Sequence, residues 1–246
     1  MGLLAVIGGS GFQHLGGLEV VSTEQPETPF GPVSAPIVRG ELAGRPVLFL
    51  ARHGAGHRLP PHRVNYRANL WALHACGAER VVGLAAVGGI TAAFGPRVIA
   101  LPDQIVDYTH GREHSFHDGE SYPVHHVDFT DPYCAPLRAA LRAACAVAGV
   151  PVVATATYGA TQGPRLETAG EIARMERDGC DLVGMTGMPE AVLARELGLC
   201  YASLAFVVNW AAGKGEGAIA MAEIEGHLAH CTGPVERILA ALAAAA

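Results

Sequence analysis

The chain has 246 residues, of which 50% are hydrophobic and 16% are charged, which is enough apolar surface for a large core and excludes a disordered segment. The formal net charge is −6 and no block of basic residues is present, which argues against nucleic acid as a partner.

Short apolar runs alternate with amphipathic segments along the whole chain. The predicted strands are 3–7, 46–51, 80–86, 98–101, 104–108, 152–158, 181–184 and 200–208, and the predicted helices are 63–76, 135–148, 168–178, 189–197 and 221–244. This alternation predicts an α/β fold with a central mixed, mostly parallel sheet flanked by helices. No linker or repeat divides the chain, so we expect residues 1–246 to form a single domain.

The amino-terminal strand runs directly into Gly8 without a preceding basic segment, which predicts a strand and not a signal peptide. The apolar stretch 81–101 is interrupted by several glycines, Pro96 and Arg97, so we expect buried strands there and no membrane span. The six cysteines form no C-x-x-C pair, and most fall in apolar patterns typical of small buried side chains. A reduced, cytoplasmic location is the expectation.

Two segments at strand ends could bind an anion. Gly8-Gly9-Ser10-Gly11 follows the first strand, where backbone N–H groups and a hydroxyl could cradle an anion, although taken alone the glycines favour a tight strand exit. Arg52-His53 follows strand 46–51 and offers a forked donor and an imidazole, against the alternative of a basic surface turn. Ligands of open α/β sheets sit at such carboxyl ends.

Further candidates come from small residues and from helix starts. Ala85-Ala86-Val87-Gly88-Gly89 would let a ligand approach a strand closely, or would form a bulge. Thr186 precedes a helix whose first turn would hold Pro189 and Glu190, a natural anion site. Glu167 could read a nucleobase or stabilise a helix dipole, and Met185 could pack on a sugar or fill the core.

Asn209 ends the apolar run 204–208, at a position where a buried strand would ordinarily stay apolar. Its carboxamide carries both a donor and an acceptor, which can match the O6 and N7 edge of a 6-oxopurine. A simple turn residue is the alternative.

The segment 110–131 is long and polar and contains five histidines, but no cysteine pair or H-E-x-x-H motif accompanies them, so we expect no metal site. The glycine spacing also fits neither a P-loop nor a dinucleotide fingerprint, which disfavours a dehydrogenase.

Taken together, these segments resemble the trimeric purine nucleoside phosphorylase family, and more closely its methylthioadenosine phosphorylase branch. The matching pieces lie in order over most of the chain: Ile7-Gly8-Gly9-Ser10-Gly11, Thr28-Pro29-Phe30-Gly31, Ala51-Arg52-His53-Gly54, the segment from Val64-Asn65-Tyr66 to Leu73, Gly163-Pro164-Arg165, Met185-Thr186 and Pro189-Glu190.

The resemblance implies roles for particular residues. Phosphate would lie among Ser10, Arg52, His53, Ala86 and Thr186, and Met185 would cover the ribose. Leu166, Glu167 and Asn209 would face the base. The resemblance also implies a homotrimer in which His126 reaches a neighbouring subunit's site, with nucleoside and inorganic phosphate as substrates and no cofactor.

Three departures, two from the methylthioadenosine branch and one from ordinary 6-oxopurine phosphorylases, refine this expectation. Asn209 and Ala211 replace two aspartates of that branch, which favours a 6-oxopurine over adenine. Met221 and Ile224 stand where ordinary 6-oxopurine enzymes place a histidine for the 5′-hydroxyl, and they suit a methylthio group. Ala85 lies near a position where the branch carries a phosphate-binding threonine. The combination predicts phosphorolysis of S-methyl-5′-thioinosine.

Several alternatives remain open at this point. A general inosine/guanosine phosphorylase would differ from this expectation only at the sugar end of the site. A methylthioadenosine phosphorylase would differ from it only at the base end. A nucleosidase would use water in place of phosphate. A non-catalytic nucleoside-binding regulator would bind the base without turnover.

Overall fold

The computed structural model describes residues 2–245, and ten strands in this range form one mixed sheet. The strands are β1 (Leu3–Gly8), β2 (Glu19–Glu24), β3 (Ile37–Leu42), β4 (Arg45–Ala51), β5 (Ala78–Gly89), β6 (Ile99–Ala100), β7 (Gln104–Asp107), β8 (Thr157–Ala160), β9 (Leu182–Gly184) and β10 (Cys200–Trp210). The α-helices are α1 (Tyr66–Ala75), α2 (Ala135–Val147), α3 (Ala169–Arg177), α4 (Gly187–Glu196) and α5 (Met221–Ala244).

Strand β5 organises the sheet because different strands pair with its two halves. The order is β2-β3-β4-β1-β5-β9-β8-β7, and β10 runs parallel along the opposite edge of β5. Strand β1 pairs with β5 in parallel as far as Gly83, whereas β9 pairs with it antiparallel from Gly88 onward. Within residues 2–245, no strand pairs with the β1 and β9 edge of β5 between Gly83 and Gly88, which leaves a gap in the pairing along this edge. The carboxyl ends of β1 and β4 lie beside this gap.

Both faces of the sheet are covered by helices, which explains why the central strands are apolar throughout. In β1, Ala5 and Ile7 face a core that includes α1 and α4, while Leu4 and Val6 face a second core that includes α2 and α5. This alternation follows from the two-residue period of a strand. The predicted α/β fold is confirmed, with the helix bounds close to those predicted.

The sequence prediction missed β2 and β3 and placed one strand wrongly. Every residue of β2 is exposed, and its sequence lacks the long apolar run that predicts a buried strand. The predicted strand 152–158 is wrong over most of its length, since β8 begins at Thr157. Before it, the Ala156 N–H bonds to the Asp103 carboxylate at 2.9 Å and not to a strand.

The expectation that the cysteines are reduced is wrong for one pair, because Cys134 and Cys200 form a disulfide. They are 66 positions apart and no sequence motif links them. The other four are free thiols, of which Cys145, Cys180 and Cys231 are buried. No helix within residues 2–245 combines the length and the apolar character needed to cross a bilayer.

Candidate functional site

A cavity of about 450 Å³ opens at the carboxyl ends of β1 and β4, against the gap in the edge of β5. Its volume is within the usual range for small-molecule sites, roughly 300–1,000 Å³. It is lined by all but one of the predicted site residues: Ser10, Arg52, His53, Ala86, Leu166, Glu167, Met185, Thr186, Asn209, Met221 and Ile224. The exception is His126, which is exposed in the segment 110–131.

Arg52 lies at one end of this cavity in a buried, charge-paired position. Its Nε and one terminal nitrogen each donate to the Glu190 carboxylate at 2.7 Å, and the other terminal nitrogen donates to the Leu84 carbonyl at 2.9 Å. A guanidinium has five N–H donors, so two remain for a ligand. Burial alone would lower the pKa of Arg52, but the Glu190 carboxylate outweighs it and raises this pKa above its ordinary value.

Glu190, which the sequence placed in the first turn of a helix, is the buried partner of Arg52. Its side chain is 1% exposed, and it also accepts a 2.8 Å hydrogen bond from the Tyr201 hydroxyl. Burial, followed by the charge of Glu190, raises the pKa of Tyr201 well above its ordinary value, so Tyr201 remains a donor. The network fixes the orientation of Arg52.

The glycine turn after β1 is both a tight strand exit and a wall of the cavity. The backbone N–H of Arg52 donates to the Gly8 carbonyl at 2.9 Å, which joins the ends of β1 and β4. A Cβ atom at Gly9 would lie 2.8 Å from the Leu84 carbonyl oxygen and 2.9 Å from an Arg52 nitrogen. Only glycine leaves room for this approach, and Ser10 then follows at the cavity wall.

His53 is buried and neutral beside Arg52. Its Nδ1 lies 2.8 Å from the Leu59 carbonyl, and because a carbonyl only accepts, Nδ1 carries the proton and Nε2 is an acceptor. Burial, and then the positive charge of Arg52, lower the pKa of His53 to about 4. The ring stacks on His57 with centroids 4.2 Å apart.

The unpaired stretch along the edge of β5 supplies backbone groups to the same end of the cavity as Arg52. The Leu84 carbonyl points into the gap toward Arg52, and residues two apart in a strand direct their backbone groups to the same edge. The Ala86 N–H therefore faces the cavity. Thr186 is buried at the N-terminus of α4 and lines the cavity, and its hydroxyl makes no capping bond.

At the opposite end, a bulge in β10 directs Asn209 into the cavity. The pairing with β5 shifts between Val207 and Asn209, so that Val208 is the extra residue. Asn209 Nδ2 donates to the Trp210 carbonyl at 2.7 Å, which assigns nitrogen and oxygen within the carboxamide. One N–H and the Oδ1 acceptor remain. Nearby, Glu167 is oriented by a 2.6 Å hydrogen bond from the Thr161 hydroxyl.

The middle and mouth of the cavity are apolar. Met185 packs against Gly163, where a Cβ atom would lie 2.5 Å from the methionine sulfur. Met221 and Ile224 from the first turns of α5 line the mouth together with Leu228, and Met221 is 63% exposed. Such a surface accepts a thioether or hydrocarbon more readily than a hydroxyl.

Sequence reasoning missed several residues that shape the cavity. The signal for Glu190 was a carboxylate followed directly by the apolar run 191–193, which is unusual unless the charge is paired. Nothing in the sequence pointed to Tyr201, nor to Arg112, which holds two cavity loops together. In the described part of the chain, no three His, Cys, Asp or Glu side chains are grouped so that they could hold a metal ion.

Comparisons with known proteins extend over nearly the whole chain. The family model described as the phosphorylase superfamily matches residues 3–244. A probable S-methyl-5′-thioinosine phosphorylase from Xanthomonas campestris pv. campestris is 60% identical over 222 residues, which is 90% of this chain and 89% of the relative. A 6-oxopurine nucleoside phosphorylase from Pyrococcus furiosus is 46% identical and covers 85% of this chain and 80% of its own length.

Among solved structures, methylthioadenosine phosphorylase from Schistosoma mansoni in complex with adenine superimposes with a TM-score of 0.94 at 30% identity. The match covers 99% of this chain and 91% of the other. Sequence and fold therefore agree, and the chain belongs to the phosphorylase superfamily.

Proposed function

We propose that the chain catalyses the reversible phosphorolysis of S-methyl-5′-thioinosine to hypoxanthine and 5-methylthioribose 1-phosphate. The observation that carries this proposal is one cavity with the Asn209 carboxamide at one wall and the apolar pair Met221 and Ile224 at its mouth. The names of the close relatives support the same substrate.

The phosphate end suits hydrogen phosphate. Arg52 has two N–H donors left, Ser10 and Thr186 supply hydroxyls, and Ala86 supplies a backbone N–H. The lone pair on Nε2 of His53 accepts the single proton of hydrogen phosphate, which orients its charged oxygens toward the sugar.

The base end stabilises the leaving purine. As the bond between C1′ and N9 lengthens, its electron pair moves onto the purine and the sugar becomes cationic at C1′. The free N–H of Asn209 donates to O6, and Glu167 accepts from N1–H. The departing purine takes a proton from water at N7, and Asn209 Oδ1 accepts from the N7–H so formed. A phosphate oxygen bonds to C1′, and the proton of hydrogen phosphate passes to water. The protein supplies placement and charge stabilisation, and phosphate is a co-substrate, so no resident cofactor is required.

A general 6-oxopurine nucleoside phosphorylase is the second candidate, since Asn209 and Glu167 would serve inosine equally well. Relatives with that name support it. The apolar mouth of the cavity favours the methylthio substrate.

We further propose a cytoplasmic homotrimer in which His126 of each subunit completes a neighbour's site. Its exposed position, outside the cavity of its own chain, fits this role.

The deciding experiment measures hypoxanthine or adenine release from methylthioinosine, methylthioadenosine and inosine, with and without phosphate. The proposal expects methylthioinosine to be cleaved fastest and only with phosphate. Release in phosphate-free buffer would instead indicate a nucleosidase, fastest cleavage of inosine would indicate the general enzyme, and tight binding without turnover would indicate a regulator.

A further inference from the structure

Arg112 is fully engaged with two separate loops of the cavity, although it does not line the cavity itself. One terminal nitrogen donates to the carbonyls of Met185 and Met188 at 2.8 and 2.6 Å. The other donates to the carbonyls of Thr161 and Gln162 at 3.1 and 2.8 Å. Its Nε donates to the Gln162 side chain at 3.1 Å. These five contacts match the five N–H donors of a guanidinium, and the Tyr66 hydroxyl is a longer, additional acceptor at 3.4 Å.

The two loops belong to different halves of the site. Thr161 orients Glu167, to which the proposed function assigns the base. The segment from Met185 to Met188 contains Met185 and Thr186, which line the cavity and to which the proposed function assigns the sugar and the phosphate. In the described structure, Arg112 is the side chain that bonds to both.

We propose that Arg112 is a positioning residue that fixes the base half of the site relative to the sugar and phosphate half. The proposal rests on the proposed function, because it matters only when one substrate spans both halves. Phosphorolysis requires the purine and the attacking oxygen at a set distance on opposite sides of C1′, and a displacement of about 1 Å can cost on the order of 100-fold in rate.

The guanidinium geometry is essential to this role. The acceptors lie around the edge of one planar fork, whereas lysine presents three donors from a single atom. The face of the guanidinium also packs over the Tyr66 ring, 5.5 Å from its centroid, which holds the plane in place.

The test compares Arg112→Met with Arg138→Met in the full-length enzyme. Arg138 is a matched control because it also bonds to two backbone carbonyls, those of Leu101 and Ala154, which are outside the cavity. For Arg112→Met we expect kcat/KM to fall about 100-fold, with most of the loss in kcat, while the binary Kd values of phosphate and of hypoxanthine rise less than about tenfold. Arg138→Met should retain kcat/KM per folded molecule.

Three results would overturn the proposal: a folded Arg112→Met enzyme within about fivefold of the wild type, an equal loss in Arg138→Met, or a loss explained entirely by weaker binary binding. If Arg112→Met does not fold, two variants of Gln162 test the proposal. Gln162→Met removes the Oε1 acceptor that Arg112 Nε shares with the His110 backbone N–H and should lower kcat roughly five- to tenfold, whereas Gln162→Glu keeps this acceptor and should retain activity. Equal activity of these two variants would also overturn the proposal.

The assay uses whichever nucleoside the wild type cleaves fastest. A preference for another nucleoside, or release without phosphate, therefore counts against the proposed function and still leaves the Arg112 comparison to be made.

Discussion

Arg52 and Glu190, 138 positions apart in the chain, meet through two parallel hydrogen bonds of 2.7 Å with both side chains 1% exposed. Arg165 and Glu171 also form two hydrogen bonds, of 2.7 and 2.8 Å, through the two terminal nitrogens of the arginine, but on the surface, with the arginine side chain 66% exposed. Doubly hydrogen-bonded arginine–glutamate pairs thus occur in two dielectric environments.

We expect Arg52→Met to destabilise the fold by about 3–5 kcal/mol, because it leaves the Glu190 carboxylate buried without its partner. Arg165→Met should cost at most about 1 kcal/mol, because water solvates Glu171. Urea unfolding at neutral pH measures both values. Equal losses in the two variants would show that burial does not set the strength of the Arg52 pair.

Asn209→Ala should lower kcat with methylthioinosine by about 10²–10³, equivalent to about 2.7–4 kcal/mol of barrier, because it removes the donor to the developing charge on the purine. Steady-state kinetics with hypoxanthine nucleosides measures this. Asn209→Asp should shift the preference toward adenine nucleosides only partly, since Ala211 supplies no second carboxylate. Full activity of Asn209→Ala would refute the base-site assignment.

Met221→His should raise kcat/KM for inosine relative to methylthioinosine by roughly tenfold, because an imidazole can bond to the 5′-hydroxyl and no longer presents a thioether surface. Met221→Leu is the matched control and should keep the methylthio preference. Competition between the two nucleosides in one reaction gives the ratio directly. An unchanged ratio in Met221→His would mean that α5 does not contact the 5′ end.

The low pKa of His53 makes stability depend on pH. The pKa falls from 6.5 to about 4 on folding, so the unfolded chain takes up the proton first as the pH drops. The contribution of His53 to the free energy of unfolding is complete above about pH 6.5 and is lost as the pH falls from 6.5 to 4. His57, whose pKa burial also lowers, adds to this loss.

We therefore expect His53→Gln to lose less stability than the wild type between pH 7 and 4.5, measured as the difference in free energy of unfolding. The exposed His74 is the control, and His74→Gln should follow the wild type. A wild-type pH dependence in His53→Gln would place the titrating groups elsewhere.

Mixing two inactive variants tests the proposed trimer. If each site combines Asn209 of one subunit with His126 of its neighbour, a mixture of Asn209→Ala and His126→Ala subunits, refolded or exchanged together, forms some intact sites. We expect activity in the mixture to exceed that of either variant alone, and sedimentation should give three chains. No recovery in confirmed mixed trimers would place His126 outside the shared site.

The sequence was sufficient for the fold class and for most of the cavity, because both depend on local patterns. Arg52 and Thr186 each follow a strand, Asn209 ends an apolar run, and parallel strands bring their ends together. The exposed strand β2 has no such pattern, and it owes its place to pairing with β3.

The contacts that fix the site's geometry were not predictable in the same way. Glu190 reads as an ordinary first-turn carboxylate until Arg52 is placed beside it, and Arg112 reads as a polar loop residue. Both act on groups distant in the chain, which sequence spacing does not reveal. The disulfide between Cys134 and Cys200 is a third example.

Because β1 ends its pairing at Gly83 and β9 begins at Gly88, the two ends of this cavity are anchored to different stretches of one strand. Under the proposed function, substitutions around Asn209 change which heterocycle is accepted while the anion end keeps its framework. Enzymes that share this arrangement could thus diversify their nucleobase preference by a few replacements, with the attacking group retained throughout.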